Sequence, residues 1–205
     1  MDHIMLDIET LGNKSTSVIL SIGAVTFDID SNATGEAFHV FINIDSALKA
    51  GLTVDASTIC WWMTQSEEAR EIFNTEAVAF HLPAALALFT QWLQKQTRTP
   101  IVWANGSNFD IPILENAFHA VDMSVPWQYY NVRDYRTIKN VIPPMLFDAI
   151  RVYPMVPHNA AHDALAQAQT LQNIFALSGN EQVPEQTSEQ ILEQVPEQTS
   201  EQAVA

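Results

Sequence analysis

The sequence is short of cysteine, of positive charge and of long apolar runs, and each shortage excludes something. Its single cysteine, Cys60, cannot form an intramolecular disulfide, which fits a reducing compartment and predicts a cytoplasmic location. Cys60 precedes Trp61 in an apolar stretch, so a packed thiol is expected there and not a nucleophile. No apolar run approaches the roughly 18 residues that a membrane helix needs, and Met1-Asp2-His3 leads into a strand without a basic n-region. Neither membrane insertion nor secretion is expected.

Nine Lys and Arg stand against 24 Asp and Glu, a net charge of −15. Phosphate contacts usually come from Lys and Arg, so tight tracking along a duplex is not expected. The excess is unevenly spread. Residues 181 to 205 hold six Glu and no Lys, Arg or His, which leaves 18 acids against 9 bases, or −9, in residues 1 to 180. Within this last stretch Glu181 to Leu192 is repeated as Glu193 to Val204 through Glu-Gln-Val-Pro-Glu-Gln-Thr-Ser-Glu-Gln. Two such copies are too polar to build a core. The expected organisation is one domain over residues 1 to 179, then an acidic, disordered tail from 180 to 205, with an acidic docking segment as the alternative reading of the tail.

What the chain does have is a set of acids in order. In His3-Ile4-Met5-Leu6-Asp7-Ile8-Glu9 the apolar residues alternate with the others, so a strand puts Asp7 and Glu9 on one face. Two acids pointing the same way repel unless a cation lies between them. Asp110 falls in the first turn of a helix that opens after Asn105-Gly106-Ser107-Asn108 and tolerates Pro112. Asp163 opens the last helix. Two-metal phosphoryl chemistry needs oxygen ligands shared between ions about 4 Å apart, and these four carboxylates, from three places, can supply them. His158, five residues before Asp163, can stand over such a site without ligating it, and an imidazole pKa near 6.5 suits a general base. His162 is expected to point elsewhere, with a structural or solvent-facing role.

Around this set, Val18 to Phe27 and Glu36 to Ile44 read as strands of an antiparallel meander. Asp55 or Ser57 caps a helix carrying Trp61 and Trp62, Ser66 caps another, and Leu82, Leu86, Phe89 and Leu93 mark a helix over His81 to Gln96. Pro100 to Ala104 reads as a strand, followed by a helix with Ile111, Leu114, Ala117 and Phe118. Trp127 to Val132, with Tyr129 and Tyr130, reads as a further strand, then a short helix before Pro143. Ala161 to Leu177 reads as the last helix, with Leu165, Ala168, Leu171 and Phe175 inward. This order predicts an α/β fold, a mixed sheet with flanking helices, in which the helices of Asp110 and Asp163 both pack on the acid-bearing side of the first strand.

Asp7-Ile8-Glu9-Thr10, Asn108-Phe109-Asp110 and His158-Asn159-Ala160-Ala161-His162-Asp163-Ala164 resemble the three exonuclease motifs of the DEDDh group of the ribonuclease H-like superfamily, over residues 2 to 177. More narrowly, the segments Thr58 to Arg70 and Val132 to Thr137 resemble the small bacterial and phage 3′-to-5′ exoribonuclease family first described in mycobacteria. The resemblance implies a ribonuclease H-like, five-stranded mixed sheet flanked by helices, and two Mg²⁺ or Mn²⁺ ions. It implies that Asp7 bridges the ions, that Glu9 and Asp163 bind the one that activates water, that Asp110 binds the other, and that His158 is the general base. It further implies release of nucleoside 5′-monophosphates from single-stranded 3′ ends, RNA before DNA, by a homodimer. His162 departs from the pattern, standing where relatives often carry an acid.

Substrate contacts are read from the residues nearby. Trp61 and Trp62 point about 100° apart on a helix, so both cannot be core: one packs, and the other either stacks on a terminal base or is simply buried. Thr10, Leu11 and Gly12 form a turn that either brings the backbone to a terminal ribose or merely ends the strand. Asn108 either bonds substrate or caps the helix of Asp110. Arg136, with Arg133, either holds phosphate or serves the structure. Two other functions share these features: a non-catalytic module binding nucleic acid or protein, and a phosphodiesterase for small nucleotides.

Overall fold

The computed structural model describes residues 1–180; the repetitive tail lies outside the described residues. Strands β1 (His3–Thr10), β2 (Ile19–Phe27) and β3 (Thr34–Phe41) form the expected meander. β4 (Ile101–Ala104) pairs in parallel with β1, and β5 (Val132–Asp134) with β4, giving a mixed five-stranded sheet of order β3-β2-β1-β4-β5. Helices α1 (Ile44–Lys49), α2 (Ala56–Trp62), α3 (Glu67–Arg70) and α4 (Leu82–Gln96) lie between β3 and β4. α5 (Asp110–His119) separates β4 from β5, and α6 (Tyr135–Val141), α7 (Pro144–Ile150) and α8 (Ala160–Asn180) complete the described chain. Side-chain caps set several of these starts: Asn43 accepts from the Ser46 amide, Asp55 from Ser57, Ser66 from Ala69, and Asp134 from Thr137.

The alternation in β1 sends its two faces to different cores. Ile4, Leu6 and Ile8 pack with Leu86 and Phe89 of α4 and with Leu114 and Phe118 of α5. Met5, on the same face as Asp7 and Glu9, packs with Val25, Phe27 and Trp103 against Ala164, Ala168 and Leu171 of α8. The two helices that carry the later acids therefore lie on opposite sides of the sheet. This corrects the expectation that both cover the acid-bearing side: only α8 does, and Asp110 reaches the site from the end of the sheet.

Two further expectations fail for identifiable reasons. Trp127 to Val132 is not a strand; Tyr129–Asn131 is a 3-10 turn with Tyr129 and Tyr130 exposed, and pairing begins only at Val132, opposite Val102. The aromatic run has strand propensity, but the four residues of β4 fix where a partner can start. Cys60 is exposed, because Trp62 turns the other side of α2 inward and two residues along a helix is about 200° of rotation. The short helix expected before Pro143 is α6, which ends at Val141; Pro144 then opens a further helix, α7, for which the sequence shows no separate signal. Among the described residues no helix is long and apolar enough to cross a membrane.

Candidate active site

Asp7 and Glu9 project from β1 toward the first turn of α8, where Asp163 meets them, and one oxygen from each of the three lies within 4.8 Å of the others. A glycine permits this approach. Gly23 sits opposite Asp7 in the β1–β2 ladder, and a Cβ there would overlap the Ala160 carbonyl carbon and the Ala161 nitrogen. Only a residue without a side chain lets the start of α8 lie on β2. The turn before α8 closes on itself: Asn159 accepts from the His162 amide, and the Asp163 carboxylate accepts from the Asn159 amide at 3.1 Å. The capping of the helix thus aims the carboxylate.

Asp110 enters differently. β4 ends opposite Leu6, so beyond that point the β1 backbone has no strand partner on this side. Asp110, 3% exposed, takes over by accepting the Ile8 amide at 3.3 Å. It stands close enough to raise the pKa of both Asp7 and Glu9, but outside the group of three. The loop before it is ordered by Asp134, which accepts the Ser107 amide at 2.6 Å. Arg136 arches over Gly106 (φ +101°) to bond the Asn105 carbonyl at 2.7 Å; the guanidinium lies 2.7 Å from where a Cβ would be.

Three full charges within 4.8 Å of one another would repel by about 3 to 4 kcal/mol per pair at an effective dielectric of about 20. The total, of the order of 10 kcal/mol, rivals the whole stability of a domain. The cluster therefore holds either protons or cations. The electrostatics of the site act the same way: burial, then Asp163 and Asp110, pushes Glu9 up to about 8. Burial likewise brings Asp110 up to about 7, against the pull of the Ile8 hydrogen bond. Asp7 is raised well above the carboxylate range by burial and then by Asp110, Glu9 and Asp163, while the Gln167 amide, 2.9 Å from its Oδ1, opposes this. Asp163 is raised by burial and lowered in part by His158. An all-oxygen set of this kind suits a hard divalent cation.

His158 adopts a left-handed backbone (φ +61°), a conformation His tolerates better than most residues. The turn carries its imidazole against Trp61, with ring centroids 5.0 Å apart and edge-on, and to 6.0 Å from Trp62. His162 has its amide in the cap and a buried Nδ1 without a partner.

The two tryptophans divide as their spacing requires. Trp62 is buried and donates to the Thr10 carbonyl at 2.9 Å; Trp61 is 42% exposed. Thr10 is committed twice, since its hydroxyl also bonds the Gly12 carbonyl at 2.7 Å. The Leu11 amide bonds Val18, and Gly12 sits against Ser17, so this turn is held by the structure. Asn108 is exposed, and α5 starts without a side-chain cap; the capping reading is overturned. Beside the turn opens an apolar groove of about 610 Å³ whose walls include Leu11, Trp62, Met63 and Phe73.

The sequence reading missed Gln167 and Gly23. Gln167 lies four residues after Asp163, hence on the same helix face, and a lone glycine in a strand signals close backbone approach; both signals were in the chain.

A central β1 carrying two acids, a third acid from α8 on the same face and a fourth from α5 at the sheet's end give a four-carboxylate site on a ribonuclease H-like fold. The chain belongs to the Rv2179c-like 3′-5′ exoribonuclease domain family, whose profile matches residues 2–175. It is a 3′-5′ exonuclease, a hydrolase. It is also 24% identical, over 161 residues, to an exodeoxyribonuclease of Enterobacteria phage T4, covering 67% of this chain and 70% of that one. The fold is that of the nuclease domain of 3′hExo, a DEDDh family member solved bound to rAMP (TM-score 0.58, 14% identity, 87% of this chain and 92% of that one). E. coli exonuclease I, solved with single-stranded DNA, shares the fold at TM-score 0.58 and 12% identity; 87% of this chain matches, spanning about two-fifths (41%) of that one.

Proposed function

We propose that Asp7, Glu9, Asp110, His158 and Asp163 carry out hydrolysis of the 3′-terminal phosphodiester of single-stranded nucleic acid, RNA in preference to DNA, releasing nucleoside 5′-monophosphates. The observation that carries this reading is the convergence of Asp7, Glu9 and Asp163 oxygens within 4.8 Å, with Asp110 beside them. These four carboxylates would hold two Mg²⁺ or Mn²⁺ ions. Such ions, when bound, acidify water and neutralise charge on the phosphoryl and departing oxygens.

The chain's own groups do the rest. His158 accepts the proton of the attacking water, held in place by the Trp61 edge. Gln167 fixes the Asp7 carboxylate so that it does not rotate away. The groove beside Trp62 and Phe73 takes the terminal nucleoside, and exposed Trp61 stacks on a base, a contact worth about 1 to 3 kcal/mol and blind to sequence. RNA preference is supported by the family's description, while the T4 relative's name supports activity on DNA. A cytoplasmic homodimer completes the reading.

The test is competition between RNA and DNA oligonucleotides of equal sequence, with Mg²⁺ and with Mn²⁺, and mass identification of products. Faster RNA turnover yielding 5′-monophosphates supports the proposal. Faster DNA turnover, or 3′-monophosphates, refutes it.

A further inference from the structure

Positive charge is scarce in this chain, yet Arg133, Arg136, Lys139 and Arg151 crowd into one short stretch around α6 and α7. Lys139 and Arg151 line a cavity of about 120 Å³ together with Asn105, Asp163, Gln167 and Thr170. Asp163 is one of the clustered acids and Gln167 bonds another, so the cavity abuts the site already described.

Neither cation has a carboxylate within ion-pair distance among the described residues. Each rests over a ring instead, the Lys139 ammonium 5.7 Å from the Tyr135 centroid and the Arg151 guanidinium 4.6 Å from that of Tyr153. Burial lowers the Lys139 pKa, and the neighbouring Arg136 and Arg151 lower it further. A chain of net charge −15 had many ways to pair these cations, and the fold leaves them facing one another.

The sheet order says which part of a substrate lies here. The apolar groove is built by Leu11 just past β1, by α2, by α3 and by the segment after it, whose Phe73 also lines a cavity with Leu20 of β2, so it lies on the β2 side of β1. The cationic cavity is built by the loop after β4, by α6 and by the segment after α7, on the β4–β5 side. The acids of β1 lie between the two. A strand cut at the acids, with its terminal nucleoside in the groove, therefore leaves toward the cations.

We infer that Lys139 and Arg151 bind a phosphodiester upstream of the scissile one and so hold the retained strand. This rests on the exonuclease reading and adds to it a binding site for the polymer's backbone. It also accounts for how so acidic a chain keeps hold of a polyanion: local placement of two unpaired cations replaces net charge.

The experiment is fluorescence anisotropy of 5′-labelled oligoribonucleotides of two, three, four and six nucleotides, in EDTA so that no turnover occurs. The proteins compared are full-length wild type, Lys139→Gln, Arg151→Gln, Arg151→Lys, and Lys95→Gln as a control of equal charge change at the opposite end of β4. The wild type should gain about tenfold in affinity between two and four nucleotides, and each Gln variant should lose most of that gain. Each lost phosphate contact should also flatten the slope of log K against log salt by about 0.7. Arg151→Lys should restore part of the gain, and Lys95→Gln should match the wild type. The inference fails if the wild type shows no length dependence, if the Gln variants keep it, or if Lys95→Gln loses as much. Turnover of the same oligonucleotides with Mn²⁺ tests the nuclease reading separately: no turnover alongside intact length-dependent binding would refute that reading and leave the cation site standing.

Discussion

The Gln167 amide donates to Asp7 Oδ1 at 2.9 Å, linking α8 to β1 one helical turn beyond Asp163. This bond orients a buried carboxylate and lowers its pKa against the push of burial and three other acids. Replacing Gln167 by Leu should weaken Mn²⁺ binding by about 10 to 100-fold, the usual cost of losing a partner that orients a ligand. Titration calorimetry reads this directly, and melting should show the fold intact. Unchanged Mn²⁺ affinity would mean that the bond does not set the geometry of Asp7.

Gly23 should be as demanding as any acid. Gly23→Ala drives a methyl into the Ala160–Ala161 backbone, an overpacking cost of about 1 to 3 kcal/mol, or a fall in Tm of about 3 to 10 °C. Because the start of α8 is displaced, Asp163 moves with it, and metal affinity should fall too. A variant with wild-type Tm and wild-type Mn²⁺ binding would overturn this account of the site's assembly.

The metal-free protein should be destabilised by rising pH in a defined window. Glu9 titrates near 4.5 when unfolded and at about 8 in the folded site, so between those values the folded state keeps a proton that the unfolded state has lost. Its contribution to stability is therefore lost as pH rises from about 4.5 to 8. Asp7, Asp110 and Asp163 act in the same direction. His3 and His39, both lowered by burial, act oppositely below about 6.5, so the useful observable is the difference between wild type and Glu9→Gln. In EDTA, Glu9→Gln should gain in Tm relative to wild type as pH rises, by at least about 3 °C at pH 8; in Mn²⁺ the gain should vanish. A difference independent of pH contradicts the linkage.

The adjacent tryptophans should separate cleanly. Trp62→Ala empties a core site and removes a buried hydrogen bond to Thr10, costing about 3 to 5 kcal/mol. Trp61→Ala should leave Tm within about 2 °C yet slow turnover, since it removes both the edge that holds His158 and the exposed ring. Thermal melts paired with single-turnover rates distinguish the two; equal effects on stability would merge their roles.

Much of this was legible in the chain because it depends on short-range pattern. Alternation placed Asp7 and Glu9 on one face of β1, and local turn chemistry marked the meander and the caps at Asp55 and Ser66. What escaped depends on partners distant in sequence. Tyr129 and Tyr130 look like strand residues, but β4 offers no room to pair with them. Cys60 looked buried because its neighbours are apolar, yet the face of α2 that turns inward is chosen by Trp62 reaching Thr10. The side from which Asp110 arrives follows from β4 stopping opposite Leu6 and leaving the Ile8 amide to be claimed, a fact no window of sequence contains. Lys139 and Arg151 meet only because α6 and α7 fold back beside α8.

The most direct test of the central claim is digestion of 5′-labelled single-stranded RNA by wild type and by Asp7→Asn, each with Mn²⁺ and with chelator. Asp7→Asn keeps the shape of the side chain and removes the charge on which the acid cluster turns. The account predicts a ladder shortening from the 3′ end for the wild type with Mn²⁺ alone, and none from Asp7→Asn or under chelation. A ladder of equal intensity from Asp7→Asn, or one that persists in chelator, would contradict it.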